Sequence, residues 1–463
     1  MSISHPYSPE LQNHLTGKHL LAFEIPFSQE LLAEHIKNGY VSETCGVLSR
    51  NGSYHCARCG NKEQTLFYTF PCKICNQDCT YCRSCIMMGR VSECAKLYRW
   101  TGPDIQFTIP DNVMRWAGTL SKGQQNASDC VVEAVKGKDE FLVWAVCGAG
   151  KTEVLFPAIE AALHAGRRIC LATPRTDVVL ELSPRLKKAF PAIEVTTLYA
   201  GSADRHGFSP LTVSTTHQLY RFIEAFDVII IDEVDAFPYS IDDSLHYAVN
   251  KSKKVSAATI YLTATPSKRM KRLYRSGKLK AIIIPARYHR QPIPVPEMKW
   301  CGNWKKLFLQ KKIPLAINGW VSERLKKNIP FLLFFPSIQV MEQVIPLFQK
   351  LSPKLSIVHS RHPDRKEKVR ALRNGMVPGL LTTTILERGV TIERLEVAVI
   401  GTEHEVFSDS ALVQIAGRVG RSFANPAGTI TFFHYGKSKA MVEAVHHIQM
   451  MNKDAMKRGL LDE

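Results

Sequence analysis

The sequence predicts an α/β protein with two lobes, each built on a parallel sheet, preceded by a small N-terminal zinc-binding domain. From about residue 117 onward, short apolar runs rich in β-branched residues alternate with amphipathic stretches, and this alternation is typical of parallel sheets. The runs form two series, separated by the proline-rich segment 282–297. Nine of the thirteen cysteines lie between Cys45 and Cys94, which predicts a separate local structure in that region.

Each series contains five expected strands. In the first series they cover 141–146, 168–174, 211–216, 227–233 and 259–265. In the second series they cover 330–337, 355–360, 379–384, 397–403 and 428–434. Ligands of such sheets bind at the carboxyl ends of the strands. The segment 101–112 holds two prolines and a glycine and is expected to be a linker, so the predicted domains are 1–110, 111–288 and 289–463.

The composition is that of a globular protein with a polyanionic partner. Of 463 residues, 45% are hydrophobic and 22% are charged, which excludes a disordered chain. The net charge of +18 is large enough to attract polyanions or acidic membrane surfaces, and a polyanionic partner is expected. The longest apolar runs are much shorter than the roughly 18 residues of a membrane span, and the N-terminus lacks a secretory signal pattern. We therefore expect a cytosolic protein.

The cysteine region contains three Cys-x-x-Cys pairs. CARC (56–59) and CRSC (82–85) are separated by 22 residues, slightly more than the roughly 15 to 20 of common four-cysteine zinc sites. Disulfides are disfavoured in the cytosol, whereas thiolates at this spacing suit tetrahedral zinc. We expect a structural Zn²⁺ module at about 54–95. Cys72 and Cys75 could replace one pair, or join Cys79 in a second site, whereas Cys45 and Cys94 are expected to be packing residues.

AVCGAGKT (145–152) follows an expected strand and precedes a helical stretch. In such a loop, backbone N–H groups at a helix N-terminus surround the phosphates of ATP, and the lysine adds a cation. Ala145 replaces the usual first glycine, but Gly148 and Gly150 still permit a close approach of the backbone. The candidate nucleotide-binding residues here are Ala145, Gly148, Ala149, Gly150, Lys151 and Thr152, with Thr152 as a ligand of Mg²⁺. Cys147 is expected to fill space, because no base that could activate it is evident.

Two acidic residues end the strand at 227–233. Asp232 lies 81 positions after Lys151, and it could hold Mg²⁺ while Glu233 polarises the attacking water. QIAGRVGR (414–421) in the second lobe offers Arg418 and Arg421, which would share a face if this stretch is helical. They are candidate arginine fingers, which reach the γ-phosphate when the lobes close.

Most of the positive charge lies in one stretch. Between Ser267 and Pro330 there are 17 lysines and arginines and two acidic residues. Aromatic residues lie among them, as in nucleic-acid surfaces that bind phosphates and stack on bases; they are Tyr274, Tyr288, Trp300, Trp304 and Trp320. This stretch predicts a contact with nucleic acid, and the alternative is a basic face that is only solvated.

Six segments occur in the order seen in superfamily 2 helicases, which this chain therefore resembles. They are AVCGAGKT, TPRTDVVLEL (173–182), DEVD (232–235), TAT (263–265), TTTILERGVTI (382–392) and QIAGRVGR. With the cysteine region and WCGNWKK (300–306), the whole chain resembles the late competence protein ComFA family. The resemblance implies two RecA-like lobes and an ATP-dependent motor that imports single-stranded DNA during transformation. It also implies as partners the late competence protein ComFC, a recombination mediator and the membrane DNA channel, through which the protein would attach peripherally to the inner face of the membrane. A homo-oligomer is a further possibility.

The resemblance assigns roles to individual residues. Gln124, or Gln125 beside it, would read the adenine, and the pattern of the family favours Cys56, Cys59, Cys82 and Cys85 as the zinc ligands. Thr263 and Thr265 would link hydrolysis to DNA, and Gln414 would join Arg418 and Arg421 at the nucleotide. The expected contacts to the DNA backbone are Arg175, Thr215, Thr216, Ser337, Thr383 and Thr384. Thr391 stands where many superfamily 2 proteins have aspartate, a departure that leaves a contact to the nucleotide ribose at this position open.

Two alternatives share the same residues. A DNA-binding adaptor could use ATP hydrolysis to switch its affinity for a partner without moving along the strand. An RNA helicase would use the same motor.

Overall fold

The computed structural model describes residues 6–387 and 392–462. The chain divides into two compact units, which are described separately below. The first comprises Met1–Thr119, Ser128–Val143 and Thr152–Ile282, and the second comprises Leu120–Ala127, Trp144–Lys151 and Ile283–Glu463. None of the described helices is both long enough and apolar enough to cross a membrane.

The N-terminal hundred residues form short helices and hairpins. In chain order they are α1 (Pro9–Leu15), β1 (Leu20–Leu21), α2 (Gln29–Lys37), β2 (Val41–Cys45), β3 (Val47–Arg50), β4 (Ser53–Cys56), β5 (Phe67–Cys72), β6 (Gln77–Cys82), β7 (Val91–Ser92) and β8 (Lys96–Trp100). Ser8 and Ser28 cap α1 and α2 by accepting hydrogen bonds from backbone N–H groups. A small core of leucines and Trp100 holds α1 and α2 against β8.

The two cysteine-rich hairpins follow one another. β3 pairs antiparallel with β4, and β5 pairs antiparallel with β6, which also pairs with the short β7. The turn between β5 and β6 contains Asn76 at a φ of +54°, a left-handed conformation that asparagine tolerates better than most residues. These turns and hairpins bring the cysteines together.

The next part of the chain alternates helices and strands. It contains α3 (Lys122–Gly137), β9 (Glu140–Ala145), α4 (Lys151–Val154), α5 (Phe156–His164), β10 (Ile169–Thr173), α6 (Thr176–Ala189), β11 (Val195–Leu198), β12 (Leu211–Thr215), β13 (Phe226–Asp232), α7 (Asp243–Ser252), β14 (Lys253–Thr263), α8 (Lys268–Arg275) and β15 (Lys280–Ile284). Among the described residues, seven of these strands form one sheet in the order β11-β12-β10-β13-β14-β9-β15. The pairs from β11 to β14 are parallel.

The last part of the chain forms a second sheet. Its elements are β16 (Glu297–Trp300), α9 (Trp304–Leu309), α10 (Leu315–Lys327), β17 (Phe331–Phe334), α11 (Ile338–Gln349), β18 (Ser356–Val358), α12 (Arg365–Arg373), β19 (Gly379–Thr382), β20 (Glu396–Ile400), α13 (Asp409–Ala416), β21 (Ile430–His434) and α14 (Lys439–Lys457). The described strands are ordered β16-β21-β20-β17-β19-β18, and the neighbouring pairs are parallel. Phe331 to Phe335 are fully buried at the centre of its core.

The α/β fold with two parallel sheets is therefore confirmed, and each of the ten expected strands is present. One helix prediction is wrong. α13 ends at Ala416, so Arg418 and Arg421 lie in the turn beyond it and do not share a helix face. Gly420 has a φ of +65°, a left-handed conformation that ends the helical path at low cost only for glycine.

Candidate nucleotide site and cysteine centre

The phosphate loop joins β9 to α4. Gly148 and Gly150 have φ values of +84° and +70°, which residues with a Cβ rarely adopt. Lys151 begins α4, and Thr152 behind it is buried. The loop thus ends at the N-terminus of a helix, where backbone N–H groups can donate hydrogen bonds to phosphate oxygens.

Gln124 contacts this loop directly. Its Nε2 donates to the Ala149 carbonyl oxygen at 2.8 Å, and its Oε1 accepts a hydrogen bond of 2.8 Å from the Ser121 N–H. Gln124 is 5% exposed, whereas Gln125 is on the exposed side of α3. Of the two glutamines, Gln124 is the one held at the phosphate loop.

The segment QIAGRVGR belongs to the same compact unit as this loop. The Cys147 thiol donates to Gln414 Oε1 at 3.1 Å, so Cys147 has a polar partner as well as a place in the packing. Arg418 Nε donates to the Glu387 carbonyl oxygen at 2.8 Å, and Arg421 Nε donates to the Gly417 carbonyl oxygen at 2.8 Å. Arg418 is buried and Arg421 is half-buried.

Arg287 is a further residue at the loop that the sequence motifs do not include. Its side chain lies beside Gly148, and its Nη1 donates to the Gly420 carbonyl oxygen at 2.5 Å. Within 6–387 and 392–462, the buried Nε and Nη2 atoms of Arg287 have no hydrogen-bond partner. Burial, and then the nearby Arg421, lower the pKa of the Arg287 guanidinium to about 10. A buried cation with spare donors beside a phosphate loop fits an anionic ligand such as ATP.

The first compact unit contains the acidic loop that follows β13. Asp232 ends the strand, and its Oδ1 accepts a hydrogen bond of 2.9 Å from the Glu233 N–H. Asp235 accepts hydrogen bonds from the hydroxyls of Thr263 and Thr265, at 2.6 Å and 2.8 Å, one on each carboxylate oxygen. The carboxylate of Asp235 therefore connects the DEVD and TAT segments, a role that adjacency in the sequence could not reveal.

The residues predicted to contact DNA have different surroundings. Arg175 forms a bidentate pair with Asp177 at 3.1 Å and 2.9 Å. Thr215 and Thr216 are buried. Ser337 caps α11 by accepting a hydrogen bond from the Val340 N–H.

Two further members of this set, Thr383 and Thr384, are half-buried. The Thr391 position lies outside the described residues.

The aromatic residues of the basic stretch divide into two groups. Trp304 and Trp320 are 1% and 5% exposed and form part of the core of the second unit. The expectation that they stack on bases is wrong, because the packing of α9 and α10 buries them. Tyr274, Tyr288 and Trp300 are exposed and remain available.

Cys56, Cys59, Cys82 and Cys85 form a closed, buried cluster in the first unit. The Sγ atoms of Cys56 and Cys85 are 3.8 Å apart, and those of Cys59 and Cys82 are 3.7 Å apart. A tetrahedral zinc with Zn–S bonds of about 2.3 Å requires S–S separations of about 3.8 Å. The cluster fits a structural zinc, and it uses the two pairs that the family pattern favours.

This cysteine centre is built into the core of the first unit. Glu24 bridges Arg58, which is buried, and Arg221, which is half-buried, with ion pairs of 2.5 Å and 2.7 Å. Lys251, at the end of α7, donates to the carbonyl oxygens of Arg58 and Tyr220. Removing one partner from a buried ionic group costs about 3–5 kcal/mol, so these bonds hold the cysteine centre to α7 and to the turn Thr216–Arg221 that precedes β13.

The remaining cysteines of the N-terminal region are not all packing residues. Cys45 lies 3.4 Å from the Lys96 Nζ. Cys94, which is expected from the sequence to be a packing residue, has its Sγ 3.6 Å from that of Cys72. That expectation is wrong, because the pairing of β7 with β6 returns the chain to Cys72 and Cys79.

Three family models match consecutive parts of the chain. The competence protein ComFA N-terminal domain matches residues 4–99, the type III restriction enzyme res subunit matches 118–268, and the helicase conserved C-terminal domain matches 315–423. Competence protein ComFA of Bacillus subtilis is 48% identical over 97% of both chains. Competence protein ComFA of Streptococcus pneumoniae is 38% identical over 81% of this chain and 86% of its own.

The chain belongs to the ComFA family. It is accordingly a competence protein with ATP-binding, helicase-like lobes, an ATP-hydrolysing enzyme of superfamily 2 in a family that acts on DNA. Two solved structures share the fold. Yeast Dbp5 bound to RNA and ADP BeF3 aligns with a TM-score of 0.51 at 13% identity, over 74% of this chain and 96% of its own. RecG bound to a three-way DNA junction aligns with a TM-score of 0.52 at 18% identity, over 75% of this chain and 49% of its own. At these identities the likeness to the two structures shows the fold alone.

Proposed function

We propose that this protein is an ATP-driven translocase that moves along single-stranded DNA and drives DNA import during transformation. The observation that carries the proposal is the bridge from Asp235 to Thr263 and Thr265. A motor must transmit the state of its nucleotide to its DNA-binding elements, and charged hydrogen bonds between two motif loops are a direct means of doing so. Membership of the ComFA family supports the same conclusion.

The residues have separate roles in this proposal. Lys151 and the backbone of the phosphate loop bind the phosphates, and Gln124 holds the loop while recognising the base. Thr152 and Asp232 hold Mg²⁺, which neutralises phosphate charge when bound. Glu233 orients the attacking water. From the second lobe, Gln414, Arg418 and Arg421 complete the site.

The remaining assignments rest on the family. In this proposal the contacts to the DNA backbone come from Arg175, Thr215, Thr216, Ser337, Thr383 and Thr384. For Thr215 and Thr216, which are buried, contact with DNA requires the surrounding loops to move. The same proposal includes domain limits at 110 and 288 and a zinc ion in the four-cysteine centre. It also includes three partners, which are ComFC, a recombination mediator and the membrane channel.

Hydrolysis tests the first part of this proposal. We expect single-stranded DNA to stimulate steady-state ATP hydrolysis more than duplex DNA or RNA, and high salt to weaken that stimulation. Lys151→Ala should abolish turnover without unfolding the chain, because it removes only the cation at the phosphates. Lys136→Ala, on an exposed part of α3, is the matched control. Equal stimulation by RNA, or turnover that survives in Lys151→Ala, would contradict the proposal.

Movement requires a second measurement. ATP should speed the displacement of streptavidin from biotinylated single-stranded DNA, and Lys151→Ala should not. If ATP changes DNA affinity but displaces no streptavidin, the protein is a nucleotide-controlled adaptor.

A further inference from the structure

Four cysteines outside the centre described above also lie together. Cys72, Cys75, Cys79 and Cys94 have Sγ atoms that all fall within 4.8 Å of one another. The Cys72 and Cys94 sulfurs are 3.6 Å apart, close to the edge of about 3.8 Å in a tetrahedron with Zn–S bonds of about 2.3 Å. The spacing therefore matches that of the first cluster and suits four ligands around one ion.

Three elements deliver these thiols to one place. Cys72 ends β5, Cys75 lies in the turn, and Cys79 is in β6, opposite Phe70 of β5. β7 pairs with β6 through Val91 and Cys82, and this pairing carries Cys94 back to the tip of the hairpin. The Cys94 N–H points at the Cys79 sulfur at 3.4 Å. Backbone N–H donors to sulfur favour the thiolate form that metals bind.

The geometry also separates this group from the first. Cys79 and Cys82 are three residues apart on β6, so their side chains leave the strand on opposite faces. Cys82 belongs to the first cluster, and Cys79 belongs to the second. The two groups share no cysteine, so the hairpin could be held by a metal on each face.

We propose that Cys72, Cys75, Cys79 and Cys94 bind a second structural Zn²⁺. Four thiolates fill the tetrahedron and leave no open position for substrate, so the site stabilises and does not catalyse. Its ion ties the tip of the β5–β6 hairpin to the segment after β7. The thiols release their protons when the metal binds.

The second site is more accessible than the first. Cys75 and Cys94 are partly exposed, whereas the four cysteines of the first cluster are buried. A chelator should therefore remove the second ion faster.

Metal analysis of the full chain tests the proposal. Native mass spectrometry, with elemental analysis for zinc and iron, should find about two zinc ions per wild-type chain and about one in Cys75→Ser and in Cys94→Ser. Cys45→Ser, which changes a cysteine of the same region outside both groups, should retain about two. One zinc ion in the wild-type chain, or iron in place of zinc, would overturn the proposal whether or not the variants fold.

Release kinetics provide an independent measurement. With a chelating dye in excess, the wild-type chain should release half of its zinc in a fast phase, and Cys75→Ser should lack that phase. A fast phase of unchanged size in Cys75→Ser would assign it to other ligands and contradict the second site.

Discussion

Asp235 uses both carboxylate oxygens to hold Thr263 and Thr265. Hydrogen bonds to a charged acceptor contribute about 1.5–3 kcal/mol each, so this carboxylate strongly constrains how far the two loops can separate. In the second unit, Arg287 likewise contacts a motif loop, because its buried side chain lies beside Gly148 of the phosphate loop. Each residue suggests a substitution with a measurable effect.

Asp235→Asn should uncouple hydrolysis from DNA. The amide is nearly isosteric, but it replaces one acceptor oxygen with a donor and removes the charge, so one threonine loses its bond. We expect basal hydrolysis to persist while the stimulation by single-stranded DNA falls about tenfold, the equivalent of about 1.4 kcal/mol. Asp243→Asn, at an exposed position of α7, is the control. Full stimulation in Asp235→Asn would show that the bridge does not transmit the nucleotide state.

Arg287→Lys should raise the KM for ATP by about tenfold or more. Lysine keeps the charge but cannot present the Nε and Nη2 donors of the planar guanidinium. A fluorescent ATP analogue should bind correspondingly more weakly. Arg290→Lys is the comparison, because Arg290 is exposed and pairs with Asp462. Unchanged nucleotide affinity in Arg287→Lys, with normal thermal stability, would assign Arg287 to packing alone.

At the scale of elements, the turn after β4 places the first cysteine pair in contact with α7. Gly60 has a φ of +72°, and a Cβ built on it would lie 2.5 Å from the ring of Tyr247. Gly52 has a similar φ of +75° in the preceding hairpin, but a Cβ there would meet no atom of the described chain within 4 Å. The two glycines thus share a backbone conformation and differ in their surroundings.

Gly60→Ala should lower the unfolding free energy more than Gly52→Ala does. The left-handed conformation costs about 1–2 kcal/mol in either variant, and the clash with Tyr247 should add about 1–3 kcal/mol at residue 60 alone. Denaturant unfolding measures both. An equal decrease of the unfolding free energy in the two variants would mean that the cysteine centre is not closely packed against α7.

The clearest strand predictions come from uninterrupted apolar runs, as in β13 and β17. β11, β15 and β16 were not predicted. Thr196 and Thr197 break the apolar pattern in β11, and β15 and β16 overlap the two ends of the proline-rich segment 282–297. Backbone pairing with neighbouring strands, which a single sequence does not display, decides these three cases.

In the candidate site, too, residues of one contiguous motif could be predicted from the sequence, whereas residues that the fold brings together could not. The phosphate loop could be predicted because its glycines, lysine and helix start are consecutive. Arg287, Asp235 and Cys94 could not, because each acts through partners that only the fold brings near. Trp304 and Trp320 resemble base-stacking residues in sequence, but their packing in the second unit buries them.

At the scale of the whole molecule, the surplus of positive charge governs binding to nucleic acid. α8 exposes Lys268, Arg269 and Arg272 within the basic stretch 267–330. α12 exposes Lys366, Arg370 and Arg373 outside that stretch. The two helices offer a matched comparison of equal charge.

Replacing the three basic residues of α8 with alanine should weaken binding to single-stranded DNA and flatten its salt dependence. Each phosphate contact on a single strand contributes about 0.7 to the slope of log K against log salt, so three lost contacts should reduce the slope by about 2. The triple alanine variant of α12 should keep the wild-type slope. Equal reductions in both variants would indicate a diffuse effect of net charge, without a site at α8.

The ion pairs of Glu24 with Arg58 and Arg221 affect how the phenotype of a deletion allele should be interpreted. An allele that deletes residues 1–110 leaves the half-buried Arg221 without its carboxylate partner and uncovers the face of α7 that the cysteine centre packs against, so its product should misfold and be degraded. A transformation-deficient phenotype of such an allele would therefore report loss of the whole enzyme. Point mutations on the exposed side of the N-terminal segment are needed to assign that segment a function of its own.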